Sequence, residues 1–284
     1  MDLLQRDEWL EAQQSHMLHV DAWVQPRLAR RAQHLKHPVD DFLFEYYSFS
    51  AAKLKTWHPG FGYRLVALQS DYETFDAQTY QFDGSHITLH VDWISDHSRI
   101  IRDATNLLAA TLNRMPKTGC FGLHEWAMVL NPDSVRHNDY SLRLSQNEIS
   151  QTITEVGLRC THFDAFRFFT ESAKPLNPTQ LTRSDQQTFE QPGCLHANMD
   201  LYKYAMLLAP LVGSTVVRNC FQLARDIRQV DMQVAPYDLR ELGVNPIKVE
   251  TSEGRAQFSE LQRGFADRAQ ILREALLHHC VSAI

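Results

Sequence analysis

Glycine and proline are scarce in this chain, 11 each among 284 residues, too few for a linker-rich or low-complexity architecture. No stretch repeats at a fixed period, so solenoids and arrays are excluded as well. No run approaches the eighteen or so apolar residues that a membrane-spanning helix needs, and no membrane partner is expected. The opening residues, MDLLQRDEWLEAQQSHM, lack both a basic start and an apolar stretch, so no secretory signal is expected. Positive charge is also short: 28 Lys and Arg against 34 Asp and Glu leave a net charge of −6. Nucleic-acid binders usually carry the opposite balance, because phosphate neutralisation dominates their affinity. DNA is disfavoured as a partner on that ground. The five cysteines are odd in number and form no CxxC, which favours free thiols in a reducing compartment, hence the cytoplasm.

What is present suits a folded chain. Hydrophobic residues make up 44% and charged ones 22%, enough to bury a sizeable core. Residues 7–35 read as an amphipathic helix that Pro26 should kink or divide. Pro38 opens a short helix through Asp41 and Tyr47, and WHPGFGY (57–63) is a turn. Alternation from Ile87 to Trp93, just after Asp83-Gly84, predicts a β hairpin. Helical periodicity returns at 98–114. Ser145 and Glu148 have capping-box spacing for a helix to about residue 157. Further helices are expected at 196–209, 214–230 and 254–279, with a short strand at Ile247–Glu250. No boundary has a linker's composition. The expectation is one mainly α domain spanning 1–284, a single-domain helical bundle-like fold with a small β hairpin.

Three segments share an unusual composition: CFGLHEWAM (120–128), RCTHFDAFRFF (159–169) and PGCLHANMDLYKYAM (192–206). Each sets a histidine and a carboxylate in apolar surroundings, with a cysteine a few residues upstream. Buried charge must be paired or metal-bound, so such segments point to a site. His196 and Asp200 are four apart and share a helical face. DFLFEYY (41–47) adds Asp41 and Glu45 on one face. Imidazole and carboxylate ligands suit Fe, Mn or Zn, and inward-facing His and Glu on several helices build bundle-core metal sites. The candidate ligands of a transition metal are Glu45, His124, His162 and His196. Glu125, Asp164 and Asp200 are the candidate catalytic carboxylates. Phe166, Phe168, Tyr202, Trp126 and His58 are candidate walls for a small nitrogenous or aromatic substrate. Three plainer readings compete. Metal-free acid–base chemistry needs only a carboxylate oriented by histidine, ordinary core packing would bury the same residues without chemistry, and a ligand-binding protein would bind without turnover. No HExxH, ExxH or DxxxH occurs in these segments, and Cys160 and Cys194 suit small buried hydrophobes better than ligands. Arg27, Arg30 and Arg31 form a small basic cluster able to meet a phosphate, or a solvated helix face.

Longer phrases carry a resemblance. HPVDDFLFEYY (37–47), LKTWHPGFGY (54–63), CFGLHEWAM, LRCTHFDAFRFF (158–169), EQPGCLHANMDLYKYAM (190–206), ARDIRQVDMQVAPYDL (224–239) and RAQFSELQRGFADRA (255–269) are spread along nearly the whole chain. In these the sequence resembles an actinobacterial family commonly labelled 3-methyladenine DNA glycosylase. That label implies hydrolysis of an N-glycosidic bond to an alkylated purine. Asp164 or Asp200 would then orient water or stabilise the sugar cation, while Phe166, Phe168 and Tyr202 sandwich the base.

Overall fold

The computed structural model describes residues 1–131 and 140–283. The fold is mainly α with one small sheet, as the periodicity predicts. The chain forms two compact units. One comprises Met1–Leu108, Leu201–Gln222 and Leu272–Ile284; the other comprises Ala109–Asp200 and Leu223–Ile271.

In the first unit the predicted hairpin lies inside a larger sheet. Strands β1 (Asp2–Leu4), β2 (Tyr63–Val66), β3 (Tyr80–Phe82) and β4 (His86–Leu89) take the order β1-β2-β4-β3. β1 runs parallel to β2, and the other pairs are antiparallel. Asp83 Oδ1 accepts from the Ser85 and His86 amides, and Gly84 takes φ +96°, so the turn chemistry is local. The alternation beyond Leu89 does not continue as strand. His90 Nδ1 accepts from the Asp92 amide at 3.1 Å and starts the helix Val91–Asp96 instead.

Helix α1 (Arg6–Ala32) is not divided at Pro26. Proline cannot donate to the carbonyl four residues back, and both Ala22 and Pro26 are exposed, so the lost bond falls on the outer side of the helix. Its inner face presents Trp9, His16, Val20 and Val24, spaced by seven, four and four residues. Trp9 enters a core with Trp57, Leu65, Tyr80 and Ile87, and its indole N–H donates to the Val66 carbonyl at 2.9 Å.

His16 is fully buried on that face. Its Nε2–H donates to Leu54 O at 3.0 Å, and its Nδ1 accepts from Arg218 at 3.3 Å. Burial, with the Arg218 charge, lowers its pKa to about 4. The unfolded chain therefore binds a proton below pH 6.5 that the folded chain refuses. The stabilising effect of neutral His16 is complete above pH 6.5 and is lost as pH falls toward 4. We expect urea titrations to show a decline of up to roughly 1 kcal/mol per pH unit in that window. The His16→Gln variant should show a flatter profile, and an equally steep one would refute the assignment.

The second unit carries helices α2 (His124–Ala127), α3 (Gln146–Val156) and α4 (Phe163–Phe166). It also holds the first turns of α5 (Leu195–Leu207), the later half of α6 (Ser214–Val234) and most of α7 (Ser252–Ser282). The predicted capping box is present: Ser145 Oγ accepts from the Glu148 amide while Glu148 accepts from the Ser145 amide. Ile247–Glu250 is not a strand. Ile247 N donates to Gln233 O, Val249 N turns back to Ile247 O, and Glu250 is held by a bidentate pair with Arg143.

Candidate metal centre

All the histidines of the three unusual segments meet in the second unit. A tight turn aims the first: Phe121 and Gly122 take φ of +47° and +67° just before α2. A Cβ on Gly122 would stand 2.4 Å from Val234 Cγ2, so glycine is required here for space as well as conformation. Trp126 fixes α2 by donating its indole N–H to Val234 O at 2.8 Å. His162 lies just ahead of α4. Its loop is held by Asn177, which accepts from the Cys160 amide at 2.7 Å and donates to Cys160 O and Thr179 O. His196 sits in the first turn of α5. The start of that helix is framed by Gln191, whose Oε1 accepts from the Lys117 and Gly193 amides, and by Asn198, which donates to Pro192 O.

The His124 and His196 rings are 4.2 Å apart, centre to centre, and those of His162 and His196 are 5.5 Å apart. Asp231 on α6 completes the group: one ligating atom each from His124, His196 and Asp231 lie within 4.8 Å of one another. His124 Nε2 stands 3.3 Å from Asp231 Oδ1 and 3.7 Å from Glu125 Oε1. Arg228 Nη1 donates to Asp231 Oδ2 at 2.7 Å and to Glu125 Oε1 at 3.2 Å. His124 Nε2, Asp231 Oδ1 and Glu125 Oε2 remain buried without a hydrogen bond. On the far side of His196, His162 Nε2 is 3.4 Å from Glu190 Oε1 and 3.5 Å from Asp200 Oδ2.

These charges shape one another. Burial works against a proton on His124, yet the Asp231 and Glu125 carboxylates outweigh it and raise its pKa to about 10. Burial alone would raise Glu125 and Asp231. His124 and Arg228 overcome that and hold both well below the usual carboxylate range. His162 is raised by Glu190 and Asp200 against the same burial penalty. His196 goes the other way: burial and the His124 charge lower it to about 3, leaving a neutral imidazole suited to ligation.

A narrow cleft of about 30 Å³ reaches His124 and His196 between Cys120, Cys160, Cys194 and Phe169, room for water or an ion. It shares Cys120, Arg159, Cys160, Thr161 and Gln191 with an adjoining pocket of about 300 Å³, the size of a small-molecule site. Burial pushes the Cys160 thiol up to about 12 and raises the Cys194 thiol well above its ordinary value, so both are thiols rather than thiolates.

Not every candidate residue sits at this cluster. Glu45 is exposed in the first unit, and the one group of three ligating side chains found among the described residues does not include it. Asp164 is ion-paired with Arg167 and Arg183 at 3.1 and 3.2 Å. Trp126 and Tyr202 are fully buried: Trp126 anchors α2, and Tyr202 packs among Tyr47, Phe49 and Phe221 in the first unit. Both are core residues rather than pocket walls. Phe166 packs on Phe169, which itself lines the cleft, while Phe168 is half-buried beneath Arg167. His58 borders a separate cavity of about 520 Å³ in the first unit, with its Nδ1 2.8 Å from the Tyr80 hydroxyl. Of the basic cluster, Arg30 is bound to Asp41 and Arg27 lies over the Phe44 ring.

Asp231, Arg228 and Glu190 were not among the candidates. Arg228 and Asp231 had a readable signal, since with Ala224, Ile227 and Val234 they lie on the buried stripe of α6, where a charged pair is out of place. No protein-family model, curated protein or solved structure matches this chain.

Proposed function

We propose that the second unit is the catalytic part of a metal-dependent enzyme that acts on a small nitrogenous or aromatic molecule. The observation that carries this reading is the convergence of His124 Nε2, His196 and Asp231 Oδ1, two of those atoms being buried and without hydrogen bonds. Two imidazoles and one carboxylate form a three-ligand set for Fe, Mn or Zn that leaves positions open for water and substrate. Arg228 holds the other Asp231 oxygen and so orients the ligand. Glu125 lies beside His124 with one oxygen unpartnered and would supply the carboxylate that accepts a proton. The substrate reaches the ion from the 300 Å³ pocket, which Thr161 and Thr179 line with hydroxyl groups. The N-glycosidase reading is less well supported, because Asp164 is engaged by two arginines and Tyr202 belongs to the core.

Elemental analysis of tag-free protein is expected to find at least one equivalent of Fe, Mn or Zn per chain. The double variant His196→Ala/Asp231→Asn should lose at least one equivalent while staying folded by circular dichroism. Metal-free protein, or unchanged metal content in the variant, would overturn this proposal.

A further inference from the structure

We infer that the 520 Å³ cavity of the first unit is a ligand site in its own right, shaped for a flat aromatic carboxylate. It draws on none of the residues of the proposed metal centre. Its volume lies within the range of small-molecule sites. Trp57, Phe75, Tyr80 and Trp93 supply its walls. Ring carbon holds water poorly, so an apolar plane entering the cavity displaces that water with a gain in affinity. The walls are set before a ligand arrives. Trp57 stacks on Trp9 with ring centres 6.2 Å apart, and Phe75 stands edge-on to Tyr80 at 5.1 Å. Trp93 stacks on His97 at 3.9 Å. Little freedom is then lost on binding.

The polar groups select the charge of the ligand. Among the described residues, the Tyr80 hydroxyl has one hydrogen bond, with His58 Nδ1 at 2.8 Å. Its proton is therefore donated to Nδ1, and the neutral imidazole carries its own proton on Nε2. Burial, followed by the neighbouring His16 and Lys53, lowers the His58 pKa to about 4 and keeps the ring neutral. No described residue accepts from Nε2, which leaves a donor on the cavity wall without a partner. Lys53 lines the same cavity. It has no carboxylate partner among the described residues and lies over the Phe49 ring, 5.5 Å from its centre. The other charges are engaged. Lys55 pairs with Asp21 at 2.7 Å, and Asp76 accepts from the Gln78 amide and the Thr79 hydroxyl of its own turn. A carboxylate between His58 Nε2 and the Lys53 ammonium satisfies both, while its ring lies against the aromatic walls. A cation would meet two lysines instead.

Titration of the full-length protein with 2-naphthoate, its neutral analogue 2-naphthalenemethanol and the cation 2-naphthylmethylammonium tests the inference. Calorimetry should give 2-naphthoate a Kd of roughly 0.01–1 mM, the range its size sustains, and bind the other two at least about fivefold more weakly. Lys53→Gln, at an exposed position, should weaken 2-naphthoate by about threefold to fivefold and leave the alcohol unchanged. His58→Phe, which keeps a ring and removes the N–H, should act in the same direction. In nitrogen-15-labelled protein the five indole N–H signals, assigned by single Trp→Phe changes, locate the bound probe. Those of Trp57 and Trp93 should shift with 2-naphthoate, and that of Trp126 in the second unit should stay in place. No binding, or equal binding of the three probes, overturns the inference. So does a 2-naphthoate affinity unchanged in both variants, or a shift confined to Trp126.

Discussion

Replacing Arg228 by Met is expected to destabilise the protein by roughly 3–5 kcal/mol, the usual cost of removing one partner from a buried charge network. Arg228 is 2% exposed and bridges Asp231 and Glu125, themselves 0% and 4% exposed. Methionine fills a similar volume but leaves two carboxylates in a low-dielectric interior with only His124 to balance them. For a chain of this size the loss corresponds to a fall in Tm of about 10 °C. Adding Glu125→Gln should recover part of it, since one of the stranded charges is then removed. The loss should also be smaller with metal present than after chelation, because a bound cation supplies charge that Arg228 no longer provides. Equal losses in both states would separate Arg228 from the metal ligands.

The second large effect concerns Gly193, which precedes α5. A Cβ there would lie 2.5 Å from Lys117 O and 2.8 Å from Lys117 N, both backbone atoms that cannot swing aside. Gly193→Ala must therefore move the start of α5 or the Lys117 segment, at a cost of roughly 2–3 kcal/mol. Because His196 follows within one turn, the displacement should also weaken Mn(II) binding at the proposed centre by at least tenfold. Gly264→Ala, in the interior of α7, is the control. Its Cβ meets nothing within 4 Å, so alanine should stabilise the helix by up to about 1 kcal/mol. Thermal melts and Mn(II) affinity read both variants, and similar behaviour of the two would refute the packing argument.

Much of the fold was legible because its determinants are local. Apolar spacing marks α1 and α7, Ser145 and Glu148 mark the start of α3, and Asp83-Gly84 marks the hairpin. The errors fall where tertiary contacts decide. Ile247–Glu250 has a strand's alternation, but its partners are Gln233 and Arg143 rather than another strand. α1 runs on through Pro26, which lies on its exposed side, a placement that the proline alone does not encode. At the centre, composition pointed to His124, His162 and His196, which the fold gathers around one point. It did not separate buried carboxylates facing that point from Asp164, which faces two arginines, because composition says nothing of direction. Asp231 was hidden for a different reason. It has no histidine beside it in the chain, and only its place on the buried stripe of α6 marks it.

The two units interleave along the chain, and that ordering bears on biosynthesis. His124, His162 and His196 are synthesised well before Asp231, and the second unit still needs residues to Ile271. The first unit in turn is complete only with Leu272–Ile284. A chain growing from its N-terminus therefore exposes the imidazoles of His124 and His196 before Asp231, which gathers beside them, exists. No continuous stretch holds either unit, so each closes only once α7 has been made.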